Sequence, residues 1–167
     1  MINKNSKKII EIFESRPRDF NPHVHVSACY IEIDDKLLLL RRASGKLEEH
    51  SWGVPGGKIE KEETPEQAAY RELFEETGIQ QEAISHMQSL GALYIRKPEV
   101  DYVYHLFCVD LHHLPAIALS NEHIDYKWAN FAERKQLTLM FGAENAFAIY
   151  HQRKQQKKLD RLSGKQR

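Results

Sequence analysis

GKIEKEETPEQAAYRELFEETGI, residues Gly57 to Ile79, decides how the rest of this chain is read. Pro55-Gly56-Gly57 breaks any strand arriving through Trp52-Gly53-Val54, so the first six residues of the stretch read as a loop. A helix then starts with three marks. Thr64 stands at the N-cap, Pro65 at the first helical position, and Gln67 three residues after the cap, completing a capping box. Gly78 is placed to end it. At roughly 100° per residue, Glu72, Glu75 and Glu76 share an arc of about 100°, and Ala69, Tyr70, Leu73 and Phe74 offer apolar cover on most of the rest. Three carboxylates at this spacing repel one another unless a cation lies between them. They also stand toward the helix C-terminus, where the dipole disfavours negative charge. Taken alone, such a run is more often a solvated acidic face. A hard divalent cation, which prefers carboxylate and phosphate oxygens, makes sense of the placement.

The whole stretch resembles the Nudix box, G-x5-E-x7-R-E-U-x-E-E-x-G-U with U aliphatic. It matches at every constrained position: Gly57, Glu63, Arg71, Glu72, Leu73, Glu75, Glu76, Gly78 and Ile79. At average residue usage, a chance match at a given start is on the order of one in 10⁹. The box takes 23 of 167 residues, and WGVPGG before it is similar to the family's common lead-in. The resemblance implies the α/β/α sandwich of the Nudix fold, a mixed sheet between helices. It implies a pyrophosphohydrolase that cleaves a nucleoside diphosphate linked to another group by attack of water on phosphorus. It implies Mg²⁺, with Mn²⁺ as a substitute, held by Glu72, Glu75, Glu76 and the Gly57 carbonyl. Among these catalytic residues Arg71 would orient the carboxylates, Glu63 would support it, and Glu72 would alternatively serve as base. Downstream, Glu122-His-Ile-Asp-Tyr-Lys-Trp128 is similar to an E-x5-W stretch of many family members. Glu122 is therefore the candidate to complete the metal site or act as base, with Asp125 and Glu99 behind it. The same stretch favours a nucleoside triphosphate cleaved to monophosphate and pyrophosphate. A dinucleoside polyphosphate, a nucleotide sugar, or sensing of a nucleotide without hydrolysis are the alternatives.

Length and composition bound the remainder. A chain of 167 residues suits one domain with a proper core. The expectation is a single unit over 1–167, with 1–20 as an N-terminal extension, 143–162 as a C-terminal helix and 163–167 as a frayed basic tail. Hydrophobic residues at 41% and charged residues at 29% make an ordinary globular balance. Net charge is zero, so the chain as a whole demands neither nucleic acid nor a membrane. A small nucleotide is the expected partner, and a homodimer is compatible with the sequence. Charge is nonetheless uneven: residues 153–167 carry seven Lys/Arg against one Asp. Cys29 and Cys108 lie in apolar runs and read as buried, reduced thiols. With no signal-peptide core and no membrane-length apolar run, the cytoplasm is the expected compartment.

The flanking chain reads as follows. Residues 5–15 space Ile9, Ile10, Ile12 and Phe13 like one face of a short helix. His23 to Arg41 reads as a hairpin turning at Asp34-Asp35-Lys36, its first strand apolar on both faces and so covered on both. His23 and His25 share a face and read as packing rather than as metal ligands. Arg41 and Arg42 stand at a strand end, where guanidinium groups suit phosphate and a solvated loop fits equally well. Leu90–Ile95 and Val103–Leu111 read as strands joined by a loop. In that loop Arg96 and Lys97 are candidate substrate contacts, with solvation the equal alternative. Trp52 reads as core more readily than as a stacking platform. A strand through Phe131, a short helix at 132–138 and a longer helix from Ala143 complete the chain.

Overall fold

A computed structural model describes residues 9–164, which form eight strands and three α-helices. The strands are β1 (Glu11–Phe13), β2 (Val24–Ile33), β3 (Lys36–Arg42), β4 (Trp52–Gly53), β5 (Gly56–Lys58), β6 (Ile84–Lys97), β7 (Val100–Leu111) and β8 (His123–Ala129). The helices are α1 (Pro65–Thr77), α2 (Phe131–Arg134) and α3 (Ala143–Leu162). Strand periodicity sorts the core. Ala28 and Tyr30 of β2 face one side, Cys29 and Ile31 the other; β3 divides Leu37 and Leu39 from Leu38 and Leu40 in the same way. The first set packs against Phe147 and Tyr150 of α3, the second against Ala69 and Leu73 of α1. Two apolar faces require two covers, which is the expected α/β/α sandwich.

The sheet runs β1-β6-β7-β2-β3-β4, with β5 also on β2 and β8 also on β3. β2 and β7 are parallel from Val24↔Tyr102 to Ile31↔Val109. The other pairs are antiparallel, so the sheet is mixed. The β2–β3 hairpin forms as expected. Asp34 and Asp35 take φ of 48° and 60°, the two left-handed positions that match a tight turn to strand twist. Both cysteines are buried and free. Among the described residues no helix is long and apolar enough to cross a membrane.

Three expectations need correction. The described part of the helix expected at 5–15 holds β1 instead, antiparallel to β6 from Glu11↔Arg96 to Phe13↔Tyr94. Over so short a run the apolar spacing fits both periods, and the long edge of β6 supplies backbone partners that a single helical turn lacks. Gly57 and Lys58, expected in a loop, belong to β5. Gly56 permits the approach: a Cβ there would stand 2.9 Å from Ala28 Cα and closer still to the Ser27 carbonyl. The apolar side of α1 is narrower than expected, since Phe74 is exposed and Glu76 shares the buried face with Ala68, Ala69, Leu73 and Thr77. The first eight residues of the extension, and the last three of the tail expected to fray, lie outside the described residues.

Candidate active site

Helix α1 is fixed at both ends by the signals its sequence carries. Thr64 Oγ1 accepts from the Gln67 amide and Gln67 Oε1 from the Thr64 amide, while Gly78 ends the helix at φ 72°. This sets the rotation of the helix and hence the direction of its carboxylates. Arg71 then gathers them. Its Nε and Nη2 donate to the two oxygens of Glu63 at 2.8 and 2.9 Å, and Nη1 donates to Glu72 Oε1 at 2.8 Å and Glu75 Oε2 at 3.3 Å. Nη2 also donates to the Lys58 carbonyl at 2.9 Å, tying α1 to β5. The fork to Glu63 holds that carboxyl down at about 2. Gly57 has the matching role on the backbone side. A Cβ there would come within 2.6 Å of Glu72 Oε2, so only glycine lets this carboxylate lie against β5.

Glu76 is the most buried of the carboxylates, with 8% of its side chain exposed. Its Oε2 accepts from the Gly56 amide at 2.8 Å. Burial, reinforced by Glu72 and Glu122 nearby, pushes its carboxyl up to about 8 against the Gly56 hydrogen bond. Burial likewise raises Glu72, against Arg71. Glu122 is half-exposed, and Lys46 at 2.9 Å holds its carboxyl below the usual range. Among the described residues, no three His, Cys, Asp or Glu side chains already surround one point at ligand distance. Arg71, Lys46 and the Gly56 amide occupy their oxygens instead. The donor chemistry fits a hard divalent cation: oxygen ligands, mutual repulsion, and burial that a cation would relieve.

A cavity of about 150 Å³ opens beside Glu76 on the α3 face of the sheet. Its polar end holds Glu76, Gly56, Arg42 and His123; its other walls include paired same-face residues of three strands. Val26 and Ala28 of β2, Tyr102 and Tyr104 of β7, and Ile95 and Lys97 of β6 line it, with Met140 and Phe141 above. Of the four basic residues expected to contact substrate, Lys97 and Arg42 line the cavity. Arg96 does not. It points away into a fork with Asp101 at 2.9 and 3.0 Å and meets Asp19 at 3.1 Å. Arg41 also lies off the cavity lining and donates to the His50 carbonyl at 3.3 Å. Asp125 and Glu99 are exposed and outside it.

Nothing local in the sequence singles out His123, although it follows Glu122. Its direction is a tertiary fact. β8 shifts register against β3, with Asp125 opposite Arg41 and His123 opposite Arg42, leaving Ile124 as the extra residue. Such a bulge re-aims a side chain. His123 Nε2 lies 4.0 Å from Glu76 Oε1. Among the described residues its Nδ1 is the buried side-chain polar atom left without a hydrogen-bond partner. Burial and then Arg42 push the ring down to about 4, so it is neutral.

Comparison with known proteins agrees with this architecture. A family model described as NUDIX domain matches residues 21–148. An RNA pyrophosphohydrolase from Aeromonas hydrophila is 40% identical over 68 residues, 41% of this chain and 35% of that protein. A MutT-like protein from Streptomyces ambofaciens is 37% identical over 75 residues, 42% of this chain and 46% of its own. The chain thus spans less than half the length of these curated relatives. Among solved structures, a MutT protein from Methanosarcina mazei superposes with a TM-score of 0.65 at 24% identity, over 82% of this chain and 96% of that one. The NUDIX domain of Shewanella oneidensis NrtR, complexed with ADP ribose, gives 0.65 at 21% identity, over 84% and 94%. The domain match runs through the strands on both sides of α1 and through the start of α3, far beyond the box itself, and the chain belongs to the Nudix family.

Proposed function

We propose that the protein is a metal-dependent pyrophosphohydrolase acting on a nucleoside polyphosphate, with a nucleoside triphosphate giving monophosphate and pyrophosphate as the favoured reaction. One observation carries this reading: the buried carboxylate Glu76 stands at the junction between the α1 acidic cluster and a ring-sized apolar cavity. A nucleotide has the same division, with charge at one end and a flat apolar ring at the other.

Glu72, Glu75 and Glu76, with the Gly57 carbonyl and Glu122, are the residues that would hold Mg²⁺ or Mn²⁺. Bound there, such an ion neutralises charge on the bridging pyrophosphate and on the leaving phosphate. Arg71 keeps Glu72 and Glu75 in one arrangement through its ties to Glu63 and the Lys58 carbonyl. Arg42 sits at the polar end of the cavity, where an always-charged guanidinium suits a phosphate oxygen. The aromatic and aliphatic walls take the base and exclude water from it. Glu122 and Glu72 are the two carboxylates able to accept a proton from the attacking water, Glu122 being the one kept ionised by Lys46 in the metal-free protein.

The test is a Mg²⁺-dependent hydrolysis panel with products resolved chromatographically. It contains ordinary and oxidised nucleoside triphosphates, ADP-ribose, diadenosine polyphosphates and nucleotide sugars. The names of the curated relatives add a 5′-triphosphorylated oligoribonucleotide. Monophosphate plus pyrophosphate from a triphosphate is the expected result. Cleavage of a dinucleoside or sugar diphosphate alone would move the substrate and keep the site. Nucleotide binding without turnover would replace hydrolysis by sensing.

A further inference from the structure

The family match begins at residue 21, yet the wall that closes the cavity on its open side comes from before it. Ile12 of β1 and Ile10, the residue just before that strand, flank Glu11, and both line the cavity. β1 is three residues long and would be marginal by itself. It is held from several directions. Its backbone pairs with β6 at Arg96, Ile95 and Tyr94. Just beyond it, Glu14 meets Arg153 of α3 at 3.6 Å, and Asp19 meets Arg96 at 3.1 Å. Phe20, buried, stacks edge-on to Tyr94 with centroids 5.4 Å apart.

The opposite lip is shaped to receive these isoleucines. Gly142, immediately before α3, takes φ 86°. A Cβ there would stand 2.9 Å from Ile10 Cδ1 and 3.5 Å from Ile12 Cδ1. The preceding residue is pinned as well, since the Phe141 amide donates to Glu48 Oε1 at 2.6 Å. β1 and the start of α3 thus meet across the cavity with no atom to spare. The space between them is about 150 Å³, of the order that takes a single aromatic ring.

We infer that residues Ile10 and Ile12 form the outer wall of the base subsite and set its size, making the segment before the Nudix domain a specificity element that admits one unsubstituted base. This rests on the nucleotide reading of the site above, but not on hydrolysis. A substituent projecting from the base must displace β1, which four anchoring contacts oppose.

The test is calorimetric binding of AMP and N6-benzyl-AMP, and of GMP and O6-benzyl-GMP, to the full chain. Wild type, Ile10→Ala and Ile12→Ala are compared, with Phe74→Ala as an exposed control. In wild type the unmodified nucleotide of the preferred pair binds more tightly. Each cavity variant shifts the ratio of dissociation constants about tenfold toward the benzyl compound, the scale on which apolar pockets discriminate added carbon. The control leaves the ratio unchanged. A ratio constant within twofold across folded variants overturns the inference, as does failure of wild type to bind any of the four. Should the ratio shift while no substrate is turned over, hydrolysis is refuted and the wall stands. Thermal melting confirms folding, and Ile12→Val, one methyl smaller, gives an intermediate ratio if size is the determinant.

Discussion

Gly57→Ala tests the cluster without touching a charge. Gly57 is not among the residues with positive φ, so alanine adds no backbone strain at that position. The whole perturbation falls on Glu72. The new Cβ would stand 2.6 Å from Oε2, whereas ordinary contact begins at 3.4 Å. The carboxylate must therefore retreat by about 0.8 Å, and more for Cδ and Oε1, away from the 2.8 Å hydrogen bond it accepts from Arg71. A misplacement of this order costs about 10²-fold in rate, about 2.7 kcal/mol of transition-state stabilisation. The expected result is a hundredfold fall in kcat for the best substrate of the panel, measured by pyrophosphate release at saturating Mg²⁺. KM should change little, because Arg42, Lys97 and the cavity walls are untouched. Glu72→Asp supplies the control. Its carboxylate is already drawn back by one methylene, so Gly57→Ala should add little in that background, a coupling that additive effects would contradict. Retention of kcat within threefold in Gly57→Ala would refute the reasoning, since the alanine must then fit without moving Glu72.

Two further outcomes follow from the same cluster. In EDTA, Glu76→Gln should raise the melting temperature near pH 8 and lose that advantage toward pH 5. The folded-state carboxyl titrates at about 8, above its unfolded value, so the native state holds the extra proton between the two. Stability of the wild type therefore falls as pH rises through that window, and the glutamine removes the slope; Mg²⁺ should stabilise wild type but not the variant. Arg71→Lys keeps the charge but cannot span Glu63, Glu72 and Lys58 O together. Its kcat should drop at least tenfold with a higher Mg²⁺ requirement and nearly constant KM, and an unchanged Mg²⁺ titration would remove Arg71 from its positioning role.

What could be read from the sequence was what neighbours in sequence decide. The capping box and the helix-ending glycine are local, and each recurs in the structure as read, whereas Glu76 leaves the shared acidic face for the buried one. The alternation of β2 and β3 is local too, and it announced a sheet covered on both faces. The cavity is different in kind. It is assembled from short pieces of the chain between residues 10 and 147, and no window of sequence contains it.

The two basic pairs make the division concrete. Arg41-Arg42 and Arg96-Lys97 are each adjacent in sequence, and nothing local tells one member of a pair from the other. A pleated strand separates adjacent residues to opposite faces. Lys97 shares the face of Ile95 and reaches the cavity, so Arg96 turns outward to Asp101 and Asp19. Arg42 lines the polar end of the cavity, while Arg41 stands beside Asp125 of the neighbouring β8. Parity separates the members of each pair, but which member reaches the cavity depends on long-range packing: Lys97 shares the α3 side with Ile95, whereas Arg42 follows Leu40 on the α1 side and lines the polar end with Glu76. The same dependence explains β1. Ile10 and Ile12 satisfy a helical or an extended pattern until the free edge of β6 and the glycine before α3 are both in place. Local sequence therefore builds the carboxylate cluster, while long-range pairing builds the cavity beside it. Substitutions in the box should act on kcat, and substitutions in β1 on which base is bound.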